Sequence, residues 1–424
     1  MKVLIFALIL TYISAINSYE IKQIEGVEGD CIVVLFDSKF NSYLRCTDLN
    51  TDNTERLYKL DPENNIVFAK TFVDFACRIM LNDKDELYLI CPQFSEDSPS
   101  ITTTEIRTIR ANSSEIESVI SLDGYIPTIF LDNNGNLMYS SGQGLNFLKY
   151  NTNEPVAVKN LENFQPARSI AVTDQNGDTY VGGEDLSVGQ HQIVVISAAS
   201  KEGTPEGDVI EGLFDDPVND FVSIVRITPN NELLISIKND NRKGSLKKIF
   251  NGTITTIYSN ESYEEYVTYP GKTRTLIVAY NSLNNKSRIT SMSLDGETFE
   301  VQNQRNEPWT AESKDFSIDQ EGNAYFTWDD LVARRSRLEF LNYTDTTTVE
   351  VGLVDNPYVW YIAFDGNNNL WMNTNHGVYV IEEGGFEVQA VPDSRNLMGM
   401  FVNTNRKESE VYLNTEFRFF VISN

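Results

Sequence analysis

The chain has 424 residues and carries 34 Lys+Arg against 61 Asp+Glu, a net charge of -27. So acidic a composition excludes nucleic acid and an anionic membrane surface as partners, because both need clustered positive charge. The acidic residues are spread along the chain rather than gathered in a tail, so the charge speaks first to solubility.

Residues 1–18 read as a secretory signal. Lys2 supplies the positive end, and Val3 to Leu10 is an apolar core too short to span a bilayer. Small residues follow at Ser14, Ala15 and Ser18, which places cleavage after Ala15 or Ser18. No later run has the length of a membrane helix, and the terminal FVISN is neither a lipid-anchor signal nor a retention tetrapeptide. The expectation is a soluble, secreted, extracellular protein. Asn-x-Ser/Thr sites at Asn112, Asn251, Asn260, Asn285 and Asn342 are candidate glycan acceptors on loops.

The four cysteines bracket two similar segments. CIVVLFDSKFNSYLRC runs from Cys31 to Cys46, and CRIMLNDKDELYLIC from Cys77 to Cys91. Each opens on an apolar strand, turns at an acidic stretch (Asp37, Asp83), returns through a Tyr-Leu pair and ends on Cys. Four cysteines allow three connectivities. Two copies of one hairpin favour Cys31–Cys46 and Cys77–Cys91, since antiparallel neighbours lie within disulfide reach. A metal or redox site is the competing use, but the CxxC spacing is absent.

The hairpin recurs along the chain. FLDNNGNLMYSS (Phe130–Ser141), AVTDQNGDTYVGG (Ala171–Gly183), FSIDQEGNAYFTW (Phe316–Trp328) and IAFDGNNNLWMNT (Ile362–Thr374) share an apolar run, an Asp, a polar turn and a returning strand. Aligned on one position of the returning strand, copies fall at Tyr43, Tyr88, Met138, Tyr180, Leu234, Ile277, Tyr325, Trp371 and Tyr412, at spacings of 41 to 54 residues. An all-strand repeat of this length is the signature of a propeller blade. Leu234 and Ile277 are the weakest copies. Third and fourth strands follow several hairpins, as in GLNFLKYN and EPVAVKN after Tyr139.

After Tyr412 only FRFFVISN remains, one strand short of a blade. YEIKQIE (Tyr19–Glu25) is the candidate that completes it, beside Phe417–Ile422, and closes the ring. No helix-period segment or linker divides residues 19–424. The expected fold is therefore all-β: a single closed β-propeller of four-stranded blades. Nine repeats are counted. Seven or eight regular blades are the alternative, because propellers typically have four to eight.

Candidate sites compete with plainer uses of the same residues. Asp132–Asn136 and Asp174–Asp178 place oxygens at alternate positions, as calcium loops do, but the twelfth position holds Gln143 or Asp185 rather than Glu; the same residues are ordinary turn formers. Only His191 and His376 could supply an imidazole. Tyr358 and Trp360 share a strand face, and with Trp371 they form a candidate aromatic surface for a flat organic ligand, against core packing between blades. Arg334, Arg335 and Arg337 are the clearest basic cluster, either an anion contact or a solvated face. No GxSxG, HExxH or Walker A motif is present, and no catalytic residue is assigned.

VTDQNGDTYVGGEDL (Val172–Leu186) and SIDQEGNAYFTWDDL (Ser317–Leu331) resemble the repeats of NHL-like and gluconolactonase-like six-bladed propellers. In look they are similar to insect secreted propellers of the ommochrome-binding type. The resemblance implies a secreted propeller that binds pigment or another small molecule. In its gluconolactonase-like members it implies a central divalent metal held by Glu, Asn and Asp, a set not identifiable in this chain. The leading expectation is a non-enzymatic secreted propeller that binds a small molecule or an extracellular protein through one face. A metal-dependent lactonase-like hydrolase, with calcium in the central channel, and a structural secreted protein without a small ligand are the alternatives. No cofactor is assigned.

Overall fold

In the computed structural model the described residues are 20–48, 54–72, 77–95, 98–141, 144–239, 243–260, 263, 265–271, 273–281, 286–293, 296–302, 309–310, 316–319, 321–330, 335–353, 357–394, 399–402, 411–414 and 419–423. The signal-type segment 1–18 and Asn285 lie outside them. The fold is all-β. Among the described residues the strands make nine antiparallel sheets, the blades of a β-propeller: eight have four strands, and the sixth in chain order has a fifth, Trp309–Thr310, paired with its third; one short 3₁₀ turn is present at Ser200–Glu202. We number the blades 1 to 9 in chain order.

The repeat has a local cause at the turn between the first and second strands. In blade 3 the strands are Ile129–Leu131, Leu137–Ser141, Gly144–Leu148 and Val156–Ala157. Asp132 Oδ1 accepts the backbone N–H groups of Asn134 at 2.9 Å and Asn136 at 3.0 Å. The backbone closes with Asp132 N donating to Asn136 O at 3.0 Å and Gly135 N donating to Asp132 O at 3.0 Å. Gly135 takes φ 82°, the left-handed region such a turn requires.

The pattern repeats with Asp37, Asp174, Asp319 and Asp365 as acceptor. Blade 2 places Asn82 there, one position before the Asp83 that the sequence points to, because an amide oxygen accepts the same two N–H groups. Blade 5 uses the Thr228 hydroxyl. Three residues on, the left-handed position is filled by Phe40, Asp85, Gly177, Asn231, Gly322 and Asn368.

This turn explains the alignment position. Six residues after the acceptor, Tyr43, Tyr88, Met138, Leu234, Tyr325 and Trp371 all point into the core. The two weak copies are complete blades, so the count is nine and the lower alternative falls. Blade 6 (Glu265–Pro270, Arg274–Asn281, Lys286–Ser293, Thr298–Glu300) lacks the motif because its turn is shorter: Gly271 N donates to Arg274 O at 2.8 Å.

Contacts group the chain into two compact units, Met1–Thr71 with Asp329–Arg337 and Gly352–Asn424, and Phe72–Trp328 with Leu338–Val351. The first unit contains blades 1, 8 and 9. In blade 9 the order is Glu20–Gln23, Phe419–Ser423, Val411–Asn414, Gly399–Val402, so the N-terminal strand is indeed the fourth. Ile21 pairs with Ile422 and Gln23 with Phe420. Phe417 lies outside the described residues. Both disulfides form as the duplicated hairpin predicts. Cys31 faces Cys46 directly in blade 1, with Cα atoms 3.9 Å apart. In the second unit Cys77 bonds Cys91, Cα atoms 4.2 Å apart. Each bridge is expected to contribute about 3 kcal/mol by constraining the unfolded chain.

In the second unit, neighbouring turns are stitched together. Asn133 Nδ2 donates to Asp174 O at 3.2 Å, Gln175 N to Asn231 Oδ1 at 2.9 Å, and Asn231 Nδ2 to Asp174 Oδ2 at 3.2 Å. Lys201, buried at 4% exposure, spends its three ammonium protons on Asp132 Oδ2 (3.0 Å), Gly177 O (2.8 Å) and Thr179 Oγ1 (2.7 Å). A buried ammonium is tolerable only when every donor is so matched.

Two predictions follow from these contacts. Removing Glu20–Gln23 strips a strand from blade 9 and exposes the edge of Phe419–Ser423. The melting temperature is expected to fall by at least ~5 °C. An unchanged melt would show that this pairing contributes nothing to stability. Lys201→Met is expected to cost about 3 kcal/mol in denaturant unfolding, because it leaves the Asp132 carboxylate buried without its cation.

Candidate binding cleft

Three sequence-predicted ligand contacts do not meet. Trp371 is fully buried, and its indole N–H donates to Asp365 Oδ2 at 2.7 Å among Val378, Val380, Met400 and Leu413. It is a core side chain closed to a ligand, which corrects its reading as a ligand contact. Trp360 stands 48% exposed beside Tyr361 at 43%. The pairing register slips between Val359 and Tyr361, so the alternation that would set Tyr358 and Trp360 on one face is broken there. Tyr358 is half-buried and its backbone N–H donates to Asn375 Oδ1 at 2.7 Å.

The other candidates resolve as local structure. The Asp132 and Asp174 carboxylates are engaged by turn N–H groups and neighbouring side chains. Among the described residues no group of three or more His, Cys, Asp or Glu is arranged to hold a metal ion. His376 occupies the tight turn between Thr374 and Gly377, its N–H donating to Thr374 Oγ1 at 3.0 Å; His191 lies 6.1 Å from the Phe221 ring. Arg334 is outside the described residues. Arg335 opens the third strand of blade 7, Arg335–Leu341, and Arg337 is half-buried in it.

Two hollows in the second unit bear on function, at opposite ends of blade 3. At the end carrying the acceptor turns, a hollow of about 330 Å³ is lined by Arg110, Tyr150, Leu148 and Gly135. Two of its polar groups, Arg110 and Tyr150, are held by the adjacent Glu86. Glu86 accepts from Tyr150 Oη at 2.8 Å, Arg110 Nη1 at 3.1 Å and Asn82 Nδ2 at 3.0 Å, and Lys84 Nζ sits 3.4 Å above the centre of the Tyr150 ring. Burial pushes the Glu86 carboxyl up, but the hydrogen bonds from Asn82, Tyr150 and Arg110 outweigh it and hold it below the usual carboxylate range. This is a finished network joining blades 2 and 3.

The opposite end holds a cleft of about 280 Å³. Its walls come from four segments. Asp123 ends the fourth strand of blade 2, and Gly124–Pro127 lead into blade 3. Ser140 sits on the second strand of blade 3. Glu162–Gln165 lead into the long first strand of blade 4, Phe164–Thr173, and Leu186 projects from the following turn of blade 4. The walls are fixed by backbone bonds. Gly124 N donates to Thr102 O at 2.8 Å, and the Thr104 hydroxyl donates to Gly124 O at 2.7 Å. Leu186 N donates to Asn163 O at 3.0 Å. Gly144, at φ 106°, lets the 161–162 backbone approach so closely that a Cβ would stand 2.2 Å from Leu161 O.

The surface of this cleft is mixed. Phe164 and Ile126 are buried in its walls, whereas Tyr125 and Leu186 stand 50% and 57% exposed at its rim. Ser140 lines it at 4% exposure, and its Oγ has no hydrogen-bond partner among the described residues. A buried hydroxyl without a partner costs about 1–3 kcal/mol, so the position calls for an explanation. Sequence reasoning missed this cleft. Its one local signal is the pair of apolar residues, Leu186 and Val188, within the polar turn EDLSVG.

No protein-family model matches the chain. No curated protein matches it by sequence. Solved structures do. It is similar to dipeptidyl peptidase 4 of Porphyromonas gingivalis at 8% identity and a TM-score of 0.59, over 92% of this chain and 64% of that one. It also matches virginiamycin B lyase of Staphylococcus aureus at 14% identity and a TM-score of 0.37, over 69% of this chain and 89% of that one. At 8% identity the likeness to the peptidase is one of fold alone.

A pH prediction follows from Glu86. A carboxyl held low in the folded state contributes stability above its unfolded value near 4.3 and loses it as pH falls through the folded value. Glu86→Gln is therefore expected to destabilise by about 1–2 kcal/mol at pH 7. The gap from the unaltered protein should narrow steadily below about pH 4. Urea titrations at several pH values measure it.

Proposed function

We propose that this is a secreted, non-enzymatic β-propeller that holds a small organic molecule in the cleft between blades 2, 3 and 4. The observation that carries the reading is the unpartnered Ser140 hydroxyl in a cleft whose mixed walls include Ile126, Phe164 and Leu186, the combination by which small-molecule sites fix orientation. Two disulfides suit an oxidising compartment, and among the described residues no helix is long and apolar enough to cross a membrane. The likeness of its hairpins to those of secreted pigment-binding propellers supports the same class. Glycans on Asn112, Asn251 and Asn342, all in or beside turns, would be compatible with the fold.

Lyases and peptidases among the similar structures make turnover the rival class. It is not favoured at this cleft: a nucleophilic serine needs a base within hydrogen-bond reach, and Ser140 Oγ has no partner among the described residues.

Ser140→Ala separates a binding role from a structural one. Removing an unpartnered hydroxyl is expected to leave the melting temperature unchanged or slightly raised. It should weaken retention of the bound molecule about tenfold, or ~1.4 kcal/mol. Native mass spectrometry of protein purified from its source, with and without the substitution, reads both the ligand mass and its loss. A chain that carries no organic adduct, and a substitution that leaves small-molecule binding unchanged, would overturn the reading.

A further inference from the structure

We infer that the cleft between blades 2, 3 and 4 selects an organic cation: an amine carried on an apolar, ring-sized body. The inference rests on the small-molecule reading above and names the ligand's chemistry.

The charge of the lining is one-sided. Asp123 and Glu162 both line the cleft, and both are exposed at its mouth. Among the described side chains, none that lines the cleft is Lys, Arg or His. Two carboxylates beside low-dielectric walls focus a negative potential there, which concentrates cations and repels anions. The net charge of -27 adds a field of the same sign.

The walls set the rest of the ligand. Tyr125, half-exposed beside the two carboxylates, offers an aromatic face to an ammonium. Phe164 and Leu186 supply apolar surface for the body. The unpartnered Ser140 hydroxyl gives one hydrogen bond deeper in, to a polar substituent or to the ammonium itself. A bare metal ion fits less well, because two carboxylates fall short of the six to eight oxygens a calcium site uses. A volume of about 280 Å³ accommodates a single ring with a short chain.

The test uses the full secreted chain and three probes of equal size: 2-phenylethylamine, 2-phenylethanol and phenylacetate, titrated by calorimetry at low salt. The amine is expected to bind at least tenfold tighter than the alcohol, and the carboxylate most weakly. The double substitution D123N/E162Q touches exposed residues, so folding should survive, as circular dichroism will check. It is expected to cost the amine at least tenfold in affinity and to leave the alcohol unchanged. Raised salt should weaken the amine alone. Equal affinities for amine and alcohol, both unaffected by the double substitution yet weakened by Ser140→Ala, would overturn the cation assignment and leave the cleft as a neutral-ligand site. Binding of none of the probes, in a chain that also carries no organic adduct, would overturn both readings.

Discussion

The side-chain acceptor at the first turn of blades 1 to 5, 7 and 8 is the constraint on which the remaining order depends. One oxygen from Asp or Asn holds two backbone N–H groups, two and four residues ahead, and the Thr228 hydroxyl holds the one four residues ahead. That forces a left-handed residue three positions on and starts the second strand at a fixed place. A one-residue slip in a strand would turn every core side chain outward. The turn prevents it, and the residue six places after the acceptor is a core anchor in blade after blade. Phe40 shows how strong the constraint is. A bulky residue accepts φ 64° there because the acceptor above it, Asp37, is bonded to Lys39 N, Asn41 N and Asn41 Nδ2.

The same turns give five of the 61 acidic residues a structural use. Carboxylates at Asp37, Asp132, Asp174, Asp319 and Asp365 act as hydrogen-bond acceptors rather than as a solvated shell. Burying four of them, and half-burying Asp319, is tolerable because each gathers several donors. Two go further and pair with a buried ammonium: Asp132 with Lys201 at 3.0 Å, and Asp37 with Lys59 at 3.3 Å. In the second unit, Arg274 does similar work without an acid, donating to Gly322 O at 2.8 Å and Leu341 O at 3.3 Å and so tying the two turns of blade 7 to blade 6. The turns therefore act twice, within a blade as a register device and between blades as polar glue.

This division explains what could be read from the chain. The blades were legible because their organising signal is local: acceptor, two polar residues, a left-handed residue and an aromatic within seven positions. The disulfides and the closing N-terminal strand followed from counting that unit. The cleft was not legible, because its residues come from four segments spread from Asp123 to Leu186 and share no periodicity. The aromatic reading failed for two separate reasons. Trp371 occupies the anchor position, where every other blade with the acceptor turn buries a large side chain or, in blade 4, half-buries one. Trp360 sits at a slip in register, which two-residue alternation does not anticipate.

The position of the cleft then has a physical reason. At the acceptor-turn end of blades 2 to 5 the turn acceptors, Lys201 and the Glu86–Arg110–Tyr150 group are already bonded, so a ligand contacting them would have to break existing hydrogen bonds to make its own. At the opposite end the chain passes from one blade to the next through segments such as Gly124–Pro127 and Glu162–Gln165, whose lengths are not set by the turn motif. These segments carry apolar side chains, are pinned by hydrogen bonds to Thr102 O, the Thr104 hydroxyl and Leu186 N, and leave a hydroxyl without a partner among the described residues. A site whose walls are already fixed loses little entropy on binding, and an unbonded hydroxyl gains a partner without surrendering one. The rigidity is supplied by the end of the blade that carries the acceptor turns, and the unmet hydrogen-bonding capacity is left at the opposite end.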